Sequence, residues 1–182
     1  PTRKVNMAQL SENTILVTAR SHPIYLETVD HFSRKSLELQ TKVIRRYVRD
    51  VHNNLPIKSL VDLIHREDTE AIIEMQVDLN IRRSTLVGYE IAVAEKAGLM
   101  RDILTLAQAE FEVSASNLMR NKTTEKARRS FLDLVFADQY LVVHEAERLL
   151  LEIRTVLKNV DEAKWLVPNI NATYKSSNNR EV

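Results

Sequence analysis

Apolar residues recur every three or four positions along most of this chain, the spacing that gathers them on one face of an α-helix. Between Thr69 and Met119 the stripe reads Ile72, Met75, Leu79, Leu86, Tyr89, Val93, Ala97, Met100, Leu104, Ala107, Phe111, Ala115 and Leu118. Between Thr124 and Leu166 it reads Leu132, Val135, Gln139, Val142, Ala146, Leu149, Ile153, Val156, Val160 and Ala163, with Gln139 its one polar member. An earlier stripe, Tyr25, Val29, Phe32, Leu39, Val43 and Tyr47, predicts a helix from Pro23 to about Val51. A short helix over 56–66 carries Ile57, Leu60, Val61 and Ile64.

Breakers fix the ends of these elements. Pro23 suits a first helical position, where its missing N–H costs no bond. His52-Asn53-Asn54-Leu55-Pro56 ends the next stretch, because the residue before proline is pushed out of the α region. No proline falls between Pro56 and Pro168, and the chain's two glycines are Gly88 and Gly98. Such a span is committed to long helices. Ser84, Thr85 and Gly88 mark its weak point, open to a kink or break over 80–88. Asn121-Lys122-Thr123-Thr124 is the expected turn, and Pro168 the expected stop. The β-branched run Thr14-Ile15-Leu16-Val17-Thr18 reads as a strand-like piece of an N-terminal arm.

The expected fold is all-α: an elongated antiparallel helical hairpin over 69–166 that turns near 121–124, with a third long helix and one short connecting helix. The expected divisions are an arm (1–22), a helical bundle (23–167) and a polar tail (168–182). A second apolar edge on the last helix, Phe136, Val143, Leu150 and Leu157, exceeds what one partner helix covers, and Leu134 and Leu141 widen the stripe on its other side. The edge therefore calls for the first helix or for another subunit, and it is the candidate surface for self-association. Residues 69–90 and 124–145 share seven identities in 22, a weak internal echo.

Composition narrows the chemistry. The 182 residues are 44% hydrophobic and 28% charged with a net charge of +1, a balance suited to a folded protein without a global pull toward nucleic acid or membrane. The absence of cysteine excludes disulfides and thiol catalysis. No 18-residue apolar run is available to span a membrane, and the start has no signal-peptide core. A first residue of proline fits removal of an initiator methionine, so a cytoplasmic or virion location is expected. His144-Glu145 opens a zinc-protease pattern, but Arg148 stands where the second histidine is required. Asp62-Leu63-Ile64-His65 is a lone match to the paired carboxylate–histidine motif of metal-binding bundles. Two glycines ten residues apart cannot make a phosphate loop. The reading is therefore of no enzyme, no cofactor, no metal and no small-molecule substrate.

Two basic features stand out. Lys35, Lys42, Arg46 and Arg49 share one side of the helix predicted over 23–51. At the turn, Arg120, Lys122, Lys126, Arg128 and Arg129 surround a single acid, Glu125, for a local charge of +4. Bases in the first turns of a helix oppose its dipole, which costs a few tenths of a kcal/mol (about 0.3 or more each). That placement points to phosphate or an acidic protein surface as partner. Over about residues 100–165, Lys122-Thr123-Thr124-Glu125-Lys126 and the helix after it resemble the helical hairpins of phage recombination mediators. Residues 1–70 have no counterpart there. The resemblance implies nucleic-acid backbone contact as the alternative function. The leading expectation is a self-associating structural component of a virion or other large complex, and a bundle metalloenzyme stands third.

Overall fold

The computed structural model describes residues 12–66 and 68–178. Among them every regular element is a helix. In chain order these are α1 (Glu12–Arg20), α2 (Pro23–Glu38), α3 (Thr41–Asn53), α4 (Ile57–His65), α5 (Thr69–Ser114), α6 (Ser116–Met119), α7 (Glu125–Val135) and α8 (Ala137–Asn178). Residues 1–11 of the expected arm and 179–182 of the expected tail lie outside the described residues, as do the side chains of Ile57 and Ile64.

Four local expectations are corrected. The strand-like run 14–18 lies inside α1, where Ala19 is buried and the hydroxyl of Thr18 bonds back to the Thr14 carbonyl at 2.8 Å. The helix expected over 23–51 is two helices, because Gln40 takes a left-handed conformation with φ 46°. Ile44, Val48 and Val51 face inward on α3, while Val43, which a single helix would have buried, is 57% exposed. The 80–88 stretch, left open to a kink or break, has no break, and α5 runs through it. The last helix instead breaks at Phe136, and α8 continues through Pro168 to Asn178 with the loss of one backbone bond.

By contact density the chain divides into two compact units. The first comprises residues up to Leu39 together with Glu95–Glu147. Here α1 packs on α2 and α7. Its core holds an aromatic cluster in which the Phe136 ring lies 5.7 Å from both Tyr25 and Phe111, edge-on to the latter. Gln108 on α5 meets the Tyr140 hydroxyl on α8 at 2.9 Å, and Arg101 is ion-paired with Glu147. Those partners run in opposite chain order, as antiparallel helices require.

The second unit comprises Gln40–Ala94 and the chain from Arg148 onward. Leu79, Leu86 and Val93 of α5 are buried, as are Leu149, Ile153 and Val160 of α8. Arg83 bonds Asp161 at 2.6 Å and Arg154 bonds Glu90 at 2.7 Å, again in antiparallel order. The rings of Tyr47 on α3 and Tyr89 on α5 meet edge to face at 5.6 Å.

Candidate interaction surfaces

The basic turn is held by its caps. Lys122 N–H reaches the Met119 carbonyl at 2.8 Å and closes the end of α6. Thr124 is extended, and its hydroxyl accepts the Ala127 N–H at 3.2 Å, so it caps α7. Both bonds anchor the segment that carries the five bases.

Those bases are not equivalent. Arg128 donates from Nε to the Lys122 carbonyl at 3.2 Å and lies 3.6 Å from the Glu112 carboxylate. Arg129 lies 3.9 Å from Glu125. Lys122 is half-buried with its ammonium 5.6 Å from the Phe131 ring centroid. Arg120 and Lys126 are exposed and form no ion pair among the described residues. The structure thus sets Glu112 against a cluster that the sequence opposes with Glu125 alone. Beside Lys122 a groove of about 330 Å³ is lined by Ile15, Ala127, Ser130, Phe131 and Leu134, a largely apolar floor with one cation at its edge.

The four-residue basic stripe is divided by the Gln40 turn. Lys35 is half-buried on α2 and belongs to the first unit. Lys42, Arg46 and Arg49 remain together on the exposed side of α3. None of these three forms an ion pair among the described residues. Arg45, one position away, points elsewhere and bonds Glu152 at 3.2 Å.

The proposed self-association edge is covered by the chain itself. Phe136 is 0% exposed, Val143 and Leu157 are buried, and Leu150 is half-buried. Of the two expected covers at Phe136, the first helix supplies one, through Tyr25 of α2, and Phe111 of α5 completes it. Leu134 and Leu141 are exposed.

Sequence reasoning missed a different apolar surface, the outer side of α5. Ile73, Val77, Ile81 and Ile91 are exposed in the second unit, and Leu99, Leu106 and Val113 in the first; their exposures run from 42% to 79%. At 100° per residue the first four fall within an arc of about 80°, and the other three within about 40°. The signal was available: 73, 77, 81 and 99, 106, 113 keep helical spacing of their own, beside the core stripe. Helices apolar on two sides want two partners.

Three titrating groups are shifted by their neighbours. Hydrogen bonding from Arg101 holds the Glu147 carboxyl below its ordinary range, against a smaller upward push from burial, and His144 adds to the lowering. Burial raises the Tyr140 hydroxyl, opposed by its bond to Gln108. Asp161 raises the Arg83 guanidinium. Each fits an ion pair or a half-buried polar contact between helices. Among the described residues no cluster of three or more histidine or carboxylate side chains is arranged to hold a metal ion, and no helix is long and apolar enough to cross a membrane. Comparison with family models, with curated proteins and with solved structures gives no match.

Proposed function

We propose that this chain is a non-catalytic assembly protein that binds further copies of itself, as a subunit of a virion or another large complex. The observation that carries the reading is the outer side of α5, where seven aliphatic residues remain exposed after the chain has closed its own cores. Isolated exposed aliphatics need no explanation, but rows of them on one helix face mark interaction sites.

The magnitude is informative. Full burial of an aliphatic side chain stabilises by about 1.5–3 kcal/mol, so covering one that is roughly half exposed contributes about 1 kcal/mol. The four in the second unit then give about 4 kcal/mol. Immobilising a partner costs about 4–15 kcal/mol. Aliphatic cover alone therefore makes at best a weak contact, and the charged groups around it decide whether the contact holds.

The test is mass in solution, by sedimentation velocity at micromolar concentration, with and without DNA. The parent chain should form a multi-chain species without DNA. A variant carrying Ile81→Glu and Leu106→Glu should run as a monomer with unchanged helicity. A monomeric parent at tens of micromolar would overturn the reading. A parent that associates only when DNA is present, with binding that falls steeply as salt rises, would favour phosphate-backbone contact instead.

A further inference from the structure

We propose that the exposed face of α3 in one copy docks on the acid-flanked aliphatic face at the start of α5 in a second copy. This rests on the self-association reading and names the surfaces that meet. On α3, Lys42, Arg46 and Arg49 project from one side, with exposed Val43 next to them. On α5, Glu70 and Glu74 are exposed and flank Ile73 and Val77, the four falling within an arc of about 100°. Neither acid forms an ion pair among the described residues, and no base stands in that arc.

The α3 surface carries an excess of base and the α5 surface an excess of acid. The three bases form no ion pair among the described residues, although exposed Asp50, hydrogen-bonded by Asn54, stands four residues after Arg46, and the two acids form none either. Both carry aliphatic groups that water contacts in the single chain. Bringing them together covers Val43, Ile73 and Val77 and sets opposite charges face to face, the arrangement that fixes register and rejects wrong partners. Packing α3 against α3 would instead place three bases against three. Packing α5 against α5 would leave Glu70 and Glu74 without a counter-charge.

The two surfaces differ, so each copy offers both halves of the contact. Two copies can satisfy both halves reciprocally in a two-fold dimer, or the contacts can run on into a ring or an open chain. The contact also weakens with salt, because the pairs sit at an exposed rim.

Charge reversal in the full chain tests this directly. One variant carries Arg46→Glu and Arg49→Glu; the other carries Glu70→Lys and Glu74→Lys. All four positions are exposed, and circular dichroism checks that helicity is kept. Sedimentation velocity at low salt should show that each variant alone needs at least tenfold more protein than the parent to associate. An equimolar mixture of the two should regain the parent's association, since each reversed face then meets a complementary one. A chain carrying all four substitutions should regain it as well. The neutral variant Arg46→Gln with Arg49→Gln should fall between.

Several results would overturn the docking. Either reversed variant could associate as the parent does, or the mixture could stay monomeric although both variants are folded. If the reversals leave association untouched while Ile81→Glu with Leu106→Glu abolishes it, self-association stands and this pairing of faces is wrong. If Arg46→Glu with Arg49→Glu loses binding to DNA but still associates, the α3 face belongs to phosphate and the proposal falls.

Discussion

Replacing Phe136 with alanine separates a core residue from an interface residue. The side chain is wholly buried between Tyr25 and Phe111, each 5.7 Å away between ring centres. Truncation removes the ring's transfer free energy and leaves a cavity whose walls come from two other helices. Substitutions of this kind cost about 3–5 kcal/mol. Tyr25 and Phe111 also lose their aromatic contacts with it, worth about 0.5–1.5 kcal/mol each, so the upper part of the range is expected. With about 2–4 °C per kcal/mol for a chain of this size, Tm should fall by about 6–20 °C. At an m-value of about 2–3 kcal/mol/M, the urea midpoint should fall by about 1–2.5 M. Circular dichroism at fixed protein concentration measures both. Sedimentation in parallel should show no change in the associated species under native conditions. A stability change under about 0.5 kcal/mol, typical of exposed sites, would refute the assignment. So would intact stability with lost association, which would return Phe136 to the interface the sequence suggested.

Other perturbations follow from the same contacts. Ile153→Ala, at a position wholly buried in α8, should cost about 2–5 kcal/mol in urea titration, whereas Leu151→Ala two residues before it, exposed, should stay within about 0.5 kcal/mol. Glu147 has a folded pKa below its unfolded one, so its ion pair with Arg101 contributes fully above the ordinary carboxylate range and loses that contribution as pH falls through the folded value. Tm measured from neutral to acid pH should therefore drop less in Glu147→Gln than in the parent, and identical pH profiles would refute the coupling. Replacing Lys126, Arg128 and Arg129 with glutamate should leave helicity nearly unchanged, because acids suit a helix start, while binding of an acidic or phosphate-bearing partner weakens most at low salt. Unchanged binding across salt would make the turn a solvated surface only.

The helical character and most of the core were legible because burial follows period. In the α8 stripe, Leu149, Ile153, Val156, Val160 and Ala163 are all buried, and on α5 so are Leu79, Leu86, Val93, Met100, Leu104 and Phe111. The breaks at Gln40, Ala115 and Phe136 were not legible, since none falls at a proline or glycine. At the last two the backbone N–H still reaches four residues back, Ala115 to Phe111 at 2.8 Å and Phe136 to Leu132 at 2.9 Å, so tertiary packing bends a helix that local preference would continue. The bases of the turn were legible as charges. Their neutralisation was not, because Glu112 reaches Arg128 through the fold. The outer side of α5 was not legible, because Glu74, Ser84, Glu95 and Asp102 alternate with its aliphatics and give it the look of a solvated face.

The two units are interleaved along the chain, and this has a consequence for how the protein is made. The first unit needs residues up to Leu39 and then Glu95–Glu147; the second needs Gln40–Ala94 and then the chain from Arg148. On a ribosome delivering about 5–20 residues per second, the opening helices must wait for the far half of α5 and for α7 before their core can close. Meanwhile the intervening segment emerges without its own partner, α8. Folding domain by domain from the N-terminus is thus closed to this chain. Neither core is complete until the chain has reached Glu147, and no single cut within these residues yields both units whole. Until then Phe111, Leu79 and Leu86 are in water, and a neighbouring nascent copy offers them the same partners as the chain's own remaining residues. Where synthesis is dense, exchange of helices between copies competes with correct closure, so the protein's yield should depend on how far apart its nascent chains are kept.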